Sequence, residues 1–341
     1  LLRNWLLEIA AGFGRMFVNP LLYWTFLLLV ITGVRRIKRE RMFFGTKIKA
    51  VFSEWHHTWG ISLLFGLVMS LVAVGIGIVF TPQMLLLISV VTILLSIHGK
   101  FTWLSPVYTI GISYLLLLFL PEILHRQSFI NTDLFAHVNF SGLAIVLGFL
   151  LVAQAALLYG IKRKDVFSSL RKSSRGAWIG VQHLKKLAVI PFFIPIPLGW
   201  IHSFADFWPY IPLGDMTSSD SFGLLLFPMV IGFHFQAAGN ESQVVKRWLG
   251  RRILLLAVIV LAVGIGSIYI GWLSAVAILG GILGWEYIHY RLRTKDQLQP
   301  AYFSQTDSGL RVLSVMPGSP SDKWGIYPGS HYKGAWSACS Q

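Results

Sequence analysis

Long apolar runs alternate with short charged stretches along most of the chain. Many runs reach the ~18–20 residues that a helix rising 1.5 Å per residue needs to cross a ~30 Å hydrocarbon layer. The first clear run is 20–34, opened by Pro20 at a helix N1 position. Runs at about 60–80 and 82–98 are divided by Thr81-Pro82-Gln83, and others follow at about 102–120 and 142–161. The region 187–208 is apolar but interrupted by Pro191, Pro195 and Pro197, and a further run covers about 222–239. Residues 253–290 exceed one crossing and divide into two spans at a tight turn near Tyr269 to Trp272. The pattern predicts an all-α polytopic membrane protein with about nine transmembrane helices.

The first residues form a different pattern. Leu2, Trp5, Leu6, Ile9, Phe13 and Met16 recur at helical spacing, with Asn4, Glu8, Gly12 and Arg15 on the other side. Residues 1–18 therefore read either as an interfacial amphipathic helix or as a lead-in to the first span. If they insert, the count becomes ten. The N-terminus lacks the small-residue cleavage site of a signal peptide, so the first span is expected to be retained. A membrane domain over 19–293, a linker over 294–306 and a distinct segment over 307–341 complete the organisation.

Charge gives the expected orientation. Residues 35–57 carry seven Lys/Arg against two Glu, and 162–186 carry eight against Asp165. By the positive-inside rule both belong to the cytoplasm, as do Lys246 to Arg252 and Arg291 to Lys295. The segment 121–141 has Glu122 and Asp133 against Arg126, and 205–221 has Asp206, Asp215 and Asp220 with no Lys or Arg. Those two belong outside. The scheme places the N-terminus outside and the C-terminus in the cytoplasm.

Composition agrees with a membrane protein and narrows the chemistry. Of 341 residues 55% are hydrophobic and 13% charged, about half the charged fraction of a soluble domain. The formal charge of +15 sits beside the apolar runs, with no nucleic-acid motif, so it reads as topology and as attraction for anionic lipid. The single Cys339 excludes an internal disulfide and a cysteine-based metal cluster. No cofactor, metal or catalytic residue is expected. No His is followed by the Glu of H-E-x-x-H, which a zinc intramembrane protease requires. Gly111-Ile112-Ser113 is followed by Tyr114 and Gly60-Ile61-Ser62 by Leu63, so the G-x-S-G of a rhomboid-type nucleophile is absent. Asp215 follows a single Gly in a loop, with no partner Asp in a span for an aspartyl type.

The alternative is a secondary transporter or permease, in which Pro191, Pro195 and Pro197 break a helix at a midplane site. Its ionisable candidates are His234 beside Gln236, Glu286 near Arg291, and His202 with Asp206 at the outer interface. An interhelical hydrogen bond for His234 and local pairing for Glu286 are the simpler roles. Gly280-x-x-x-Gly284 and Gly264-x-Gly266 allow close helix packing, within the bundle or in a homo-oligomer.

The C-terminal stretch departs from all of this. Asp307 to Gly329 reads D-S-G-L-R-V-L-S-V-M-P-G-S-P-S-D-K-W-G-I-Y-P-G. Val312, Leu313 and Val315 predict a short strand, Pro317-Gly318 a turn, Ser321 the cap of a short helix and Gly325 its end. The pattern resembles the central part of a bacterial PDZ domain. The resemblance implies a carboxylate-binding loop and strand at Gly309, Leu310, Arg311, Val312 and Leu313, which would hold an extended peptide by strand addition. After Gly329 the expected Asp, strand, turn and second helix do not follow, so an incomplete PDZ-like β/α segment with weak peptide binding is expected, truncated after 329. Together with Val34-Arg35-Arg36-Ile37-Lys38-Arg39-Glu40-Arg41 after the first span, the architecture resembles the MinJ family of division-site membrane adaptors from Bacillus-like Firmicutes. The resemblance implies a non-catalytic scaffold at septa and poles, linking the Min inhibitor to the polar coiled-coil scaffold DivIVA.

Overall fold

The computed structural model describes residues 2–45, 52–53, 55, 58–124, 138–172, 176, 178–201, 208–210, 221–303, 310–316 and 318–332. Among the described residues, eight helices of at least 15 residues run in the order α1 (Leu2–Met16), α2 (Pro20–Phe44), α3 (Trp59–Ile76), α4 (Pro82–Ser96), α5 (Pro106–Leu124), α6 (Phe140–Tyr159), α7 (Ser242–Gly266) and α8 (Leu273–Gln297). Between α6 and α7 lies a sheet of β1 (Phe167–Lys172), β2 (Trp178–Ile201) and β3 (Phe222–Ala237), ordered β1-β2-β3 and antiparallel throughout. A short ladder of β4 (Leu310–Arg311) and β5 (His331–Tyr332), with the one-turn helix α9 (Pro320–Lys323), completes the described chain.

Helix starts follow local chemistry. Asn19 accepts from the Leu21 amide with Pro20 behind it, Thr81 caps Met84 ahead of Pro82, and Asn139 caps Gly142. Helix α6 is the hub. Its residues from Leu143 to Leu158 are buried nearly all round, against α3, α5, α7 and α8. In α8, Gly284 takes the Leu256 side chain of α7, whereas Gly280 meets no neighbour. Gly264 of α7 lies against the α6 backbone at Ala144. These glycines serve close packing inside the bundle.

Two of the nine expected transmembrane helices are strands. Residues 187–201 of the expected span 187–208 lie on β2 and 222–237 of the expected span 222–239 form β3, and the pairing runs from Gln182↔Ala237 to Pro197↔Phe222. The all-α expectation is corrected here: the helical bundle encloses a long hairpin. The physical reason is in the prolines. Pro191, Pro195 and Pro197 share one parity, so their missing N–H groups all lie on the edge of β2 that turns away from β3. Pro191 faces Pro228 across the ladder, at a position where neither need donate. From Leu187 to Trp200 an extended strand covers roughly 45 Å at ~3.3 Å per residue, more than a hydrocarbon layer.

The span count is corrected accordingly. Among the described residues, four helices are long and apolar enough to cross a membrane: Pro20–Phe43, Trp59–Ile76, Phe140–Tyr159 and Ser242–Gly266. Pro82–Ser96 and Pro106–Phe119 are apolar but shorter. The second half of α8 carries Glu286, Arg291, Arg293, Lys295 and Asp296, which breaks its apolar run.

A hairpin inside an apolar bundle must satisfy two open edges. Along β2 this falls to α3, where Ser70 Oγ accepts from the Phe193 amide at 2.8 Å. Just beyond α3, the Phe80 amide donates to the Pro195 carbonyl at 3.0 Å. Gly66 lets α3 approach, because a Cβ there would sit 2.1 Å from the Pro191 carbonyl oxygen. Along β3 it falls to α1, which turns its polar stripe inward. Glu8, only 1% exposed, accepts from the amides of Leu224 at 3.2 Å and Trp200 at 3.0 Å, and pairs with Arg15 at 2.7 Å. Arg15 also donates to the Leu224 carbonyl at 2.5 Å. Leu6, 61% exposed, points the other way, while Phe13 at the margin meets the Phe193 ring edge-on at 5.5 Å. Helix α1 is thus an amphipathic helix with its polar side against protein, separated from α2 by a turn at 17–19.

Candidate functional site

The sheet base, where β1 joins the hairpin, has two faces, each with its own chemistry. Strand alternation puts Ser168, Leu170 and Gly180 on one side, and Phe167, Ser169, Arg171, His183, Lys185 and His234 on the other.

The first face receives the C-terminal stretch. Tyr302 donates to the Ala238 carbonyl at 2.8 Å, and the Gly180 amide donates to Phe303 O at 3.2 Å, extending the sheet by one bridge. Ser168 Oγ donates to the Leu313 carbonyl at 3.0 Å, while the Leu313 side chain lies over Gly180, where a Cβ would stand 2.7 Å from it. Arg163 stacks on the Tyr327 ring at 5.1 Å.

Within the stretch, the expected turn-and-helix pattern forms with one shift. The cap is Ser319, which accepts from the Asp322 amide, rather than Ser321. Pro320 occupies N1, so the cap must precede it. Gly325 follows the helix with φ 75°, the left-handed conformation that ends it. The strand expected at Val312 to Val315 begins earlier, at Leu310–Arg311, and its ladder continues through Val312, which donates to Ser330 O and accepts from the Gly329 amide.

Of the five expected peptide-binding residues, Gly309 lies outside the described residues. Leu310, Arg311 and Val312 lie on the ladder with 329–332. Arg311 folds back onto the linker, donating to Tyr302 O at 3.0 Å with its guanidinium 4.3 Å from that ring. Leu313 is held by β1 and β2 as described. The edge that an added peptide strand would use is therefore turned toward the sheet base.

The second face was not visible in the sequence. Ser169 Oγ lies 2.6 Å from His183 Nε2, and His183 Nδ1 lies 2.9 Å from His234 Nε2, a hydrogen-bonded chain across all three strands. Burial, reinforced by Lys185, Arg39 and Arg171, pushes the His183 imidazole down to about 4. Burial, then His183, Lys185 and Arg39, pushes His234 down to about 3. Both rings are neutral near pH 7, so each can donate from one nitrogen and accept at the other. Read as a span, 222–239 offered His234 a partner on another helix. Read as a strand, it offers His183, and the period-two placement of His234 and Gln236 opposite Lys185 and His183 was the available signal.

Other expected sites resolve simply. Glu286 accepts from Tyr108 of α5 rather than pairing along its own helix. His202, Asp206, Asp215, Arg126, Asp133 and Cys339 lie outside the described residues. Pro191, Pro195 and Pro197 break no helix, which removes the feature on which the permease alternative rested. Among the described residues no group of three or more His, Cys, Asp or Glu could hold a metal.

No family model matches the chain, and no solved structure matches it. The chain is similar to the cell division topological determinant MinJ of Bacillus subtilis (strain 168). The two are 28% identical over 322 residues, which cover 94% of this chain and 79% of that protein.

Proposed function

We propose that this protein is a non-catalytic membrane scaffold in bacterial division-site selection, linking Min inhibitor proteins to the polar scaffold DivIVA through protein–protein contacts. The observation that carries the reading is the similarity to MinJ, which covers 94% of this chain. Residues 19–293 act as the membrane base in a multi-pass arrangement with the C-terminus cytoplasmic. The segment 307–341 acts as a partial PDZ-like contact module, in which Gly309 to Leu313 would meet a partner. Because Ser168 holds the Leu313 carbonyl, a peptide strand must displace the sheet base before it can pair along that edge.

A fluorescent fusion tests the proposal. In dividing cells it should concentrate at septa and poles, lose that pattern when the polar scaffold is deleted, and leave misplaced septa when it is itself removed. Uniform membrane fluorescence together with normal septum placement after deletion would sink the reading. Co-purification with the Min inhibitor from membranes, reduced by Leu313→Asp, tests the contact module separately.

A further inference from the structure

The C-terminal stretch meets the sheet base over a glycine that β2 itself does not need. Gly180 pairs regularly with Leu170 in the β1–β2 ladder, and its backbone does not enter the left-handed region that favours glycine. A strand interior suits a β-branched residue better, so glycine there points to a close approach from outside the ladder. That approach comes from the C-terminal stretch. A Cβ on residue 180 would stand 2.7 Å from the Leu313 side chain and 2.8 Å from the Phe303 Cβ, the nearest groups to it. Trp178, two residues earlier on the same side of the sheet, is exposed, whereas Gly180 is buried.

The contact covers one particular edge. Val312 turns its amide and carbonyl toward 329–330, so Leu313, the next residue of an extended chain, turns its own to the opposite edge. That opposite edge is where a peptide strand would add. Ser168 Oγ donates to the Leu313 carbonyl there at 3.0 Å, in the place that the N–H of an incoming strand would take. Ser168 thus holds β1 against the edge, where a partner strand would have to lie. Around this point the Gly180 amide donates to the Phe303 carbonyl at 3.2 Å and the Tyr302 amide to the Ala238 carbonyl at 2.8 Å. Arg163, itself paired with Glu241 at 3.1 Å, lies over the Tyr327 ring.

Resting on the reading of the C-terminal stretch as a contact module, we propose that this contact is autoinhibitory. Seated on Gly180, the sheet base closes the Leu313 edge, and a partner strand is admitted only when the stretch lifts off. Partner and sheet base compete for one edge. The apparent association constant for a partner is then that of the open form multiplied by the fraction of chains that are open.

The test opens the contact without touching the stretch itself. Gly180→Val suits a strand but leaves no room for Leu313 and Phe303. In the full chain in detergent, hydrogen exchange at the Tyr302 amide should quicken about tenfold in Gly180→Val and about threefold in Ser168→Ala, while the amides of the β2–β3 ladder keep their protection. If Gly180→Val loses ladder protection too, the milder Gly180→Ala carries the test, since its Cβ still meets the Phe303 Cβ at 2.8 Å. The same chains are then titrated with the purified Min inhibitor and with DivIVA. Binding should tighten in the opened variant by the factor by which exchange quickens, because both report the closed fraction. Unchanged exchange at Tyr302 would overturn the closed contact whatever the partners do. Faster exchange with wild-type affinity would overturn the inhibition and leave the division reading standing. Faster exchange with no binding by either chain would support the closed contact and count against the division reading instead.

Discussion

The two edges of the β2–β3 hairpin face the same problem and solve it differently. A strand edge within an apolar surround leaves backbone donors and acceptors with no water to meet them, and each unmet group costs on the order of 1–3 kcal/mol. On the β2 edge the demand is mostly removed between 191 and 197. There Pro191, Pro195 and Pro197 delete three donors, Ser70 takes the fourth at Phe193, and Phe80 supplies the Pro195 carbonyl. On the β3 edge the demand is met by charge, with Glu8 and Arg15 satisfying both groups of Leu224 and one of Trp200. Removal of donors depends on no partner group. Satisfaction by an ion pair makes the edge depend on every member being present.

That contrast predicts unequal fragility. Glu8→Ala should be the most damaging change, because it strands two amides and leaves Arg15 with the Leu224 carbonyl but without its carboxylate. About 3 kcal/mol is expected, at the lower end for a broken buried pair because Arg15 is 33% exposed. Glu8→Gln, which keeps an acceptor, should recover part of this. Reversible unfolding in mixed micelles would measure both, and equal stability for Glu8→Ala and wild type would undo the comparison.

Next comes Gly66→Val. A Cβ 2.1 Å from the Pro191 carbonyl must push α3 off the edge, with an overpacking cost of about 2–3 kcal/mol. Cysteine crosslinking between α3 and β2 should fall in parallel. Unchanged crosslinking would mean that α3 does not depend on this contact.

Much of the bundle was legible because helical membrane segments announce themselves by length and apolarity, and α2, α3, α6 and α7 did so. The hairpin was not, because a strand buried on both faces reads as a continuous apolar run and mimics a helical span. The even spacing of Pro191, Pro195 and Pro197 held the correction, since helix breaks carry no parity and strand edges do. The inversion of α1 was hidden for a related reason. Its amphipathic pattern is unmistakable, but an apolar side can face lipid as readily as protein, and only the hairpin edge shows which side turns in. The C-terminal turn and helix were legible because Pro, Gly and Ser act through local geometry. The histidine chain was not, since it depends on strand register between residues 51 positions apart.

Two smaller changes probe the β2 edge itself. Pro191→Ala restores an amide aimed at α3 and loosens the unfolded chain, together worth about 1–2 kcal/mol. Ser70→Ala should cost about 1 kcal/mol, because it removes one acceptor and leaves the prolines to cover the rest of the edge. The sharper readout is local. Ser70 Oγ both donates to Gly66 O at 2.7 Å and accepts from Phe193, so its loss leaves the Phe193 amide alone among proline neighbours with nothing to bond. Hydrogen exchange at Phe193 should accelerate in Ser70→Ala while the amides of Phe192 and Ile194, which point to β3, keep their protection. Ser70→Thr, which retains the hydroxyl, should restore slow exchange at Phe193. If Ser70→Ala instead accelerated exchange along the whole of β2, the edge would be held cooperatively by α3, and the prolines would not be what makes it robust.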